Sequence, residues 1–511
     1  MMSPRLIKLF FIFAVSLLIA VGAWAGFRSG SNVDPQKALA PASISATSHS
    51  SHTTQPRRIE HAAVNIPGLI FVQAPEVATG DLRARFPKGS HLARLASQTK
   101  NEAPVNLTSE FYAAADPQIS FDGSKVLFAA IQRPGGRWQI WEMHVDGSSK
   151  RRVLNCTADC LRPAYLAHEN LVFTVVREDA GRAASEVHVA QLDGTEDHAI
   201  TFGPGNYEVE TVLKDGRILL SAASPLVAAA ARTTALYALR NDGTGLQSLR
   251  CEHAKPAVRS EASELADGSV VFVKNAHSNG QAGGELAMIR RGALHNSTFL
   301  PAAPTTLSPR PLSENELIVS RRTGAVASAT PKFDLYTVES ASGRVDRLIY
   351  KDSKLSSVQA VPVAAHAAPR WYWSTLNPEA KSGYFICLDA YHSADEPKGR
   401  IGASIARVRV LTLDAATGEE RSLGEAPVEK DGSFYVAVPP DQPMRFEILD
   451  EKGAVIRSQQ SWIWSRRGEE HGCVGCHEDK SVAPENRWPL TLRRFDTPTP
   501  LGSEVDVKVE R

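Results

Sequence analysis

The sequence predicts an all-β protein: a six- or seven-bladed β-propeller, a small antiparallel β-sandwich and a short C-terminal segment. Three observations support this prediction. The central part shows short β-type runs ended by turn residues, and no 3.6-residue apolar pattern. Its turns recur at a long, nearly constant spacing. The pattern of apolar and turn residues changes near Gly399, where alternating strands without that spacing begin.

The first residues predict export. Arg5 and Lys8 precede a nearly unbroken apolar run, and Ala23-Trp24-Ala25 follows at the distance of a signal-peptidase site. Residues 1–25 are therefore predicted to be a signal peptide, with an uncleaved membrane anchor as the alternative. The body is expected in the periplasm, either free or anchored to the periplasmic side of the membrane. Residues 26–60, rich in Ser, Ala and Thr, are predicted to be a flexible linker.

The propeller is predicted for residues 61–395 from a repeated unit of two hairpins. The first turns lie about 46 to 52 residues apart, near Asp122, Glu169, Asp215, Asp267 and Asn315. Five units are explicit, and β-rich runs at 69–72 and 358–388 bring the expected number of blades to six or seven. The alternative is a pair of β-sandwiches, which need no fixed long period.

The unit 115–128, ADPQISFDGSKVLF, followed by IWEMHVDG at 140–147, resembles the repeat of TolB-type (PD40/WD40-like) propellers. The resemblance implies the fold. It implies little about function, because propellers include both enzymes and interaction scaffolds.

Residues 396–465 are predicted to form the β-sandwich, and residues 466–511 a C-terminal segment with one motif. Cys473-Val-Gly-Cys476-His477 has the Cys-x-x-Cys-His spacing of covalent c-type haem attachment. Two thiols three positions apart on a tight turn can form thioethers to one haem, and His477 then becomes the proximal iron ligand. One covalent haem c is predicted. A redox dithiol, half of a zinc site and a plain disulfide are the alternatives.

The remaining cysteines are interpreted through the oxidising compartment that export predicts. Cys156 and Cys160 are spaced to close a small disulfide loop. Whether Cys251 pairs with Cys387 is left open.

The C-terminal third also resembles hydrazine synthase alpha subunit-like proteins, in the region of their middle domain. The residues that carry the resemblance are DGSFYVAVPP at 431–440, RFEILD at 445–450, the Trp462-x-Trp464 pair and GCVGCHE at 472–478. That family joins a propeller, a β-domain and c-type haem. Its first haem has a tyrosine ligand shortly after the motif, and the motif histidine turns towards zinc. This chain has Ser481 four positions after His477 and no later tyrosine, so hydrazine chemistry is not carried over.

The second axial ligand of the predicted haem is left open among Met444, His471 and His392. Arg466, Arg467 and Arg487 flank the motif. They fit either pairing with haem propionates or a solvated charged loop.

These observations predict an exported monohaem c-type cytochrome-like protein that transfers electrons or serves as the redox subunit of an oxidoreductase, with a protein redox partner. The alternatives are a propeller interaction scaffold with a structural or sensory haem, a zinc site at the same motif, or catalysis at a five-coordinate haem. The 57 basic and 56 acidic side chains nearly balance, which argues against nucleic acid as a partner. No constellation typical of hydrolases or transferases is found.

Overall fold

Short strands make up nearly all of the regular structure, which confirms the all-β prediction. The computed structural model describes residues 67–96, 103–179, 182–223, 233–249, 257–275, 282–291, 297–300, 305–323, 332–393, 396, 398–414, 417–477, 487–503 and 505. The predicted signal peptide (1–25) and linker (26–60) lie outside these residues. Within them, no helix is long and apolar enough to cross a bilayer.

Six four-stranded antiparallel sheets form the blades of a propeller. Blade 1 contains β1 (Leu69–Ala74), β2 (His91–Leu95), β3 (Val105–Asn106) and the late strand β24 (Ser356–Pro362); blade 2 contains β4 (Ala113–Ile119), β5 (Lys125–Ile131), β6 (Gln139–His144) and β7 (Arg151–Arg152); blade 3 contains β8 (Asp159–Leu166), β9 (Asn170–Asp179), β10 (Arg182–Gln191) and β11 (His198–Ala199). Blade 4 contains β12 (Asn206–Val212), β13 (Ile218–Ala223), β14 (Thr234–Leu239) and β15 (Gln247–Ser248); blade 5 contains β16 (Val258–Glu264), β17 (Val270–Asn275), β18 (Glu285–Ile289) and β19 (Ser297–Phe299); blade 6 contains β20 (Thr306–Pro311), β21 (Glu316–Thr323), β22 (Lys332–Glu339) and β23 (Val345–Tyr350).

The ring closes between its first and last strands. β1 pairs antiparallel with β24, with Ile70 opposite Val361 and Val72 opposite Val358. The run at 69–72 and only the first residues of the run at 358–388 therefore form one shared blade, and the described residues contain six blades.

The turn residues predicted from the sequence lie at the hairpin ends. At the first turn of blade 2 the Asp122 carboxylate accepts a hydrogen bond from the Ser124 amide at 3.0 Å. Gly123 has a φ of +76°, a conformation that favours glycine. Asp-Gly pairs that close hairpins are thus the structural basis of the repeat.

Two more four-stranded sheets face each other in the C-terminal sandwich, in the orders β31-β25-β28-β32 and β27-β26-β29-β30. Their strands are β25 (Gly383–Ser393), β26 (Arg407–Leu413), β27 (Glu420–Pro427), β28 (Phe434–Val438), β29 (Met444–Leu449), β30 (Val455–Ser458), β31 (Glu470–His477) and β32 (Thr499–Pro500). Two 3₁₀ turns, Leu82–Ala84 in blade 1 and Leu490–Arg493 before β32, complete the regular structure of the described residues.

The sandwich differs from the prediction in two respects. It begins at β25, inside the segment assigned to the propeller, and it includes β31 and β32 from the segment assigned to the tail. It is also not wholly antiparallel, because β25 pairs parallel with β31 and β28 pairs parallel with β32. β25 alternates buried and half-buried residues, which shows a strand but does not identify the strand it pairs with.

The sandwich docks on blade 4 through the residues just before β31. The Trp464 side chain is 1% exposed, and its Nε1 donates a hydrogen bond to the Gly243 carbonyl at 3.0 Å. Its ring lies edge-on to Tyr207 and Phe202, with centroids 5.7 and 6.0 Å away. Trp464 therefore belongs to the apolar cluster shared by blades 3 and 4.

The connection between the two domains, residues 363–382, runs over the hairpin turns of the propeller. The His366 amide donates to the Phe121 carbonyl at 2.8 Å, and the Ser374 hydroxyl donates to Asp242 at 2.8 Å. From the sandwich side, Glu469 accepts a hydrogen bond from the Gly245 amide at 2.7 Å. These polar contacts fix the start of β31 against the propeller.

Candidate functional site

The Cys-x-x-Cys-His motif lies on β31, an edge strand of its sheet. In the parallel register with β25, Phe385 is opposite His471, Cys387 is opposite Cys473 and Ser393 is opposite His477. The tight turn expected for the motif is therefore wrong at the level of the backbone, because pairing with β25 keeps the segment extended. The side chains of Cys476 and His477 lie outside the described part of the chain.

Cys473 occupies a half-buried position at the rim of the sandwich core. Its register partner Cys387 is 3% exposed and belongs to that core. The sequence gives no sign that these two cysteines are neighbours, because they are far apart along the chain and only the parallel pairing aligns them. The alternation within Gly383–Ser393 shows a strand but not its partner.

Gly475 lies against His392 on the neighbouring strand. A Cβ atom at position 475 would be 2.6 Å from the His392 carbonyl oxygen and 2.9 Å from the His392 Cδ2. Such distances exclude any side chain there without rearrangement. His392, one of the three candidates for a second iron ligand, is thus in direct contact with the motif.

The imidazole of His392 is also unsatisfied. Its Nε2 is buried and has no hydrogen-bond partner among the described residues. A buried polar nitrogen normally has a partner, because leaving it unpaired costs about 1–3 kcal/mol. The backbone of His392 is fixed by β25 and by a bridge to Arg400, so the residue is held beside the motif strand.

The other two candidate iron ligands, Met444 and His471, contact other residues of the sandwich. Met444 is fully buried in the sandwich core, and its amide bonds to the Ile463 carbonyl at 2.8 Å. The His471 ring lies 5.1 Å from that of Phe385, and its Nδ1 is 3.8 Å from the Glu469 carboxylate. Both side chains thus serve the packing of the sandwich.

The arginines that flank the motif divide into two groups. Arg466 and Arg467 pair with Asp441 at 2.7 and 3.4 Å, and Arg466 also donates to the Asp242 carbonyl in blade 4. Arg487 lies 3.5 Å from Asp389, the residue opposite Gly475. Of the three, Arg487 is therefore the arginine held beside the motif strand.

The remaining cysteine predictions concern Cys156, Cys160 and Cys251. Cys156 and Cys160 form a disulfide, with Cα atoms 6.4 Å apart, at the start of blade 3. Cys251 lies outside the described residues, so its pairing with Cys387 stays open. Within the described part of the chain, no group of three or more His, Cys, Asp or Glu side chains is arranged to hold a metal ion.

Comparison with known proteins locates this region within a recognised family domain. The family model for the hydrazine synthase alpha subunit middle domain matches residues 390–478, which include most of the sandwich and the motif. The chain is 23% identical to hydrazine synthase subunit alpha of Kuenenia stuttgartiensis, over 80% of this chain and 65% of that protein. It therefore spans slightly less than two thirds of the relative's length. The resemblance predicted for the middle domain is confirmed.

The solved structure of Kuenenia stuttgartiensis hydrazine synthase superimposes with a TM-score of 0.72 and 21% identity, over 84% of this chain and 71% of that one. TolB from Acinetobacter baumannii gives a TM-score of 0.42 and 14% identity, over 57% and 66% of the two chains. The first of these similarities shows that the overall architecture described above is shared.

Proposed function

We propose that this chain is an exported redox protein that carries one covalent haem c on β31, bonded through Cys473 and Cys476 with His477 as proximal iron ligand. The observation that carries the proposal is the spacing of the motif together with the orphaned Nε2 of His392 beside it. When bound, a haem of this type supplies a one-electron redox centre.

Several residues around the motif suit a neighbouring cofactor, and attachment of one haem through both thiols requires the motif to form the tight turn in place of its extended pairing with β25. Gly475 leaves the strand without a side chain where His392 approaches, and the unpaired His392 nitrogen is a natural ligand or hydrogen-bonding group for a neighbouring cofactor. Arg487, held beside β31 through Asp389, is placed to meet a carboxylate at the edge of the site. The apolar sandwich core behind Cys473 would keep water from that side.

Similarity to a subunit of hydrazine synthase supports a redox role at a coarse level, and it supports a protein partner. From the N-terminal apolar segment we further propose a periplasmic location, free or tethered by that segment. The proposed role is that of an electron carrier or of the redox subunit of an oxidoreductase.

The decisive experiment is expression of the full chain in a host with haem-attachment machinery, followed by a denaturing gel stained for haem. We expect a stained band for the natural sequence, and loss of the stain in Cys473→Ser and Cys476→Ser. Cys387→Ser is the matched control, because Cys387 lies outside the motif, and it should keep the stain. Colourless natural protein from such a host would contradict the proposal.

A zinc site on a propeller scaffold is the second candidate, and one observation favours it. Cys387 lies directly opposite Cys473, so a third thiolate is near the motif, and zinc prefers such ligands. This candidate predicts colourless protein that contains one zinc ion and loses it in Cys387→Ser. Metal analysis of the samples above separates the two candidates.

A further inference from the structure

Cys387 and Cys473 occupy paired positions on two neighbouring strands, β25 and β31. Cys387 is 3% exposed and is part of the core cluster of the sandwich, and Cys473 packs against that cluster from a half-buried position. The register of the parallel pair places the two residues directly opposite each other. Two thiols that are far apart along the chain therefore meet at one point of the sheet, on the face that the core covers.

The distance between paired positions suits a disulfide. Neighbouring strands of a sheet lie about 4.8 Å apart, and the Cα atoms of disulfide-bonded cysteines are usually about 4.4–6.8 Å apart. Side chains on this face of the two strands do meet, because the rings of the preceding pair, Phe385 and His471, have centroids 5.1 Å apart. The fold thus brings the two sulfur atoms within reach of each other.

The same strand geometry disfavours a disulfide within the motif. An extended strand advances about 3.3 Å per residue, so positions 473 and 476 on β31 are about 10 Å apart. Cysteines whose Cα atoms are more than about 7 Å apart cannot be bridged unless the backbone moves. While β31 is paired with β25, Cys387 is therefore a better partner for Cys473 than the second cysteine of the motif.

We propose that Cys387 and Cys473 form a disulfide between β25 and β31 in the chain without haem. The step is thiol–disulfide exchange with a disulfide-bearing oxidant protein of the oxidising compartment. The thiolate of Cys473, the more exposed of the two, attacks the oxidant's disulfide and displaces one of its thiolates. The thiolate of Cys387 then attacks the Cys473 sulfur and displaces the other. The two protons and two electrons pass to the oxidant, which leaves as a dithiol.

This disulfide regulates the proposed haem site. The Cys473 sulfur cannot bond to Cys387 and to a vinyl group of haem at the same time, so the disulfide must be reduced before haem is attached. It also joins the motif strand to β25 and keeps the motif extended until then. In this respect the inference rests on the proposed function, whereas the disulfide itself can form whether or not the chain binds haem.

The test uses the colourless full chain from a host without haem-attachment machinery, reduced and then equilibrated with oxidised glutathione. Remaining thiols are alkylated with N-ethylmaleimide in denaturant, and tryptic peptides are identified by mass spectrometry without reduction. We expect peptide 382–398, which contains Cys387, to be cross-linked to peptide 468–480, which contains both motif cysteines. Cys387 that is alkylated, bonded to glutathione or joined to Cys251 would overturn the proposal.

Three variants identify the second sulfur of the cross-link. Cys473→Ser should lose it, because it removes the residue opposite Cys387. Cys476→Ser should keep it, and so should the matched control Cys251→Ser. Loss of the cross-link in Cys476→Ser, or an undiminished cross-link in Cys473→Ser, would refute the assignment to Cys473.

Protein from a host with haem-attachment machinery separates this inference from the proposed function. The fraction of Cys387 that reacts with N-ethylmaleimide should equal the fraction of chains that carry haem, because a thioether at Cys473 leaves Cys387 as a thiol. Haem-loaded chains in which Cys387 does not react would contradict the inference. A cross-link between Cys387 and Cys473 in a chain that never acquires haem would support the disulfide and refute the proposed cofactor.

Discussion

At the scale of single residues, His392 gives the sharpest prediction about the haem site. If its buried, unpaired Nε2 ligates the iron, the natural holoprotein is low-spin in its oxidised state. His392→Ala should then keep the covalent haem and shift the absorption and electron paramagnetic resonance spectra to a high-spin form.

His366→Ala is the control for that experiment, because His366 is exposed on the connection between the domains. It should leave the spectra unchanged. A His392→Ala protein with the spectra of the natural one would show that the imidazole does not reach the iron.

A second residue makes the stability depend on pH. His188 is nearly buried, and burial alone would lower its pKa. Its Nδ1 lies 2.6 Å from Asp197 and its Nε2 3.0 Å from Glu186, and these contacts raise the pKa overall. The charged form is thus favoured in the folded state, and its contribution is complete below the ordinary histidine pKa of about 6.5.

We therefore expect the free energy of unfolding to fall as the pH rises through the folded-state pKa of His188. Urea unfolding between about pH 6 and pH 9 measures this. His188→Gln should flatten the dependence, whereas His198→Gln, at an exposed histidine nearby, should leave the slope as it is. An equal slope in His188→Gln would argue against the ion pairs.

At the scale of elements, the docking of the sandwich depends on Trp464. Its side chain is 1% exposed, between Tyr207 and Phe202. Trp464→Ala should lower the free energy of unfolding by about 3–5 kcal/mol, because it leaves a cavity and an unpaired carbonyl at Gly243.

Trp373→Ala is the matched control, since that tryptophan is 75% exposed, and its effect should stay within about 0.5 kcal/mol. Urea unfolding compares the two variants. Equal midpoints would mean that the sandwich does not depend on this contact.

Two elements, the Trp464 segment and β25, have packing partners that local sequence patterns do not determine. Trp464 reads as one of two alternating aromatics on a strand, and alternation indicates burial without saying against what. Likewise β25 is recognisable as a strand, but its place beside β31 depends on a parallel pairing that no local pattern encodes. His392 could be named as a candidate ligand, but its contact with Gly475 follows only from that pairing.

At the scale of the whole molecule, the propeller could be predicted because turn residues recur in the sequence at a regular spacing. Each Asp-Gly pair specifies a local conformation, and a constant spacing of such pairs specifies stacked, similar sheets. The number of blades was harder to predict from the sequence, because β1 and β24 lie at opposite ends of the domain in the chain but form one sheet.

Because the first and last strands of the propeller pair with each other, the stability of the whole propeller depends on that contact. Ile70, on β1, is fully buried and opposite Val361 of the closing strand. Ile70→Ala should lower the free energy of unfolding by about 2–5 kcal/mol. The control Val105→Ala, at a 62% exposed position in the same sheet, should change it by about 0.5 kcal/mol or less. Both values come from urea unfolding, and equal midpoints would count against closure as the stabilising contact.

The position of β31 at the sheet edge has a consequence for biogenesis. Its partner β25 is synthesised long before it, and every other strand of the sandwich except β32 also precedes it in the chain. The two motif cysteines are thus synthesised after nearly all the strands of the sandwich. An enzyme that modifies these thiols would therefore act on the segment before it pairs. β31 would then pair with β25 after the group has been attached to the cysteines.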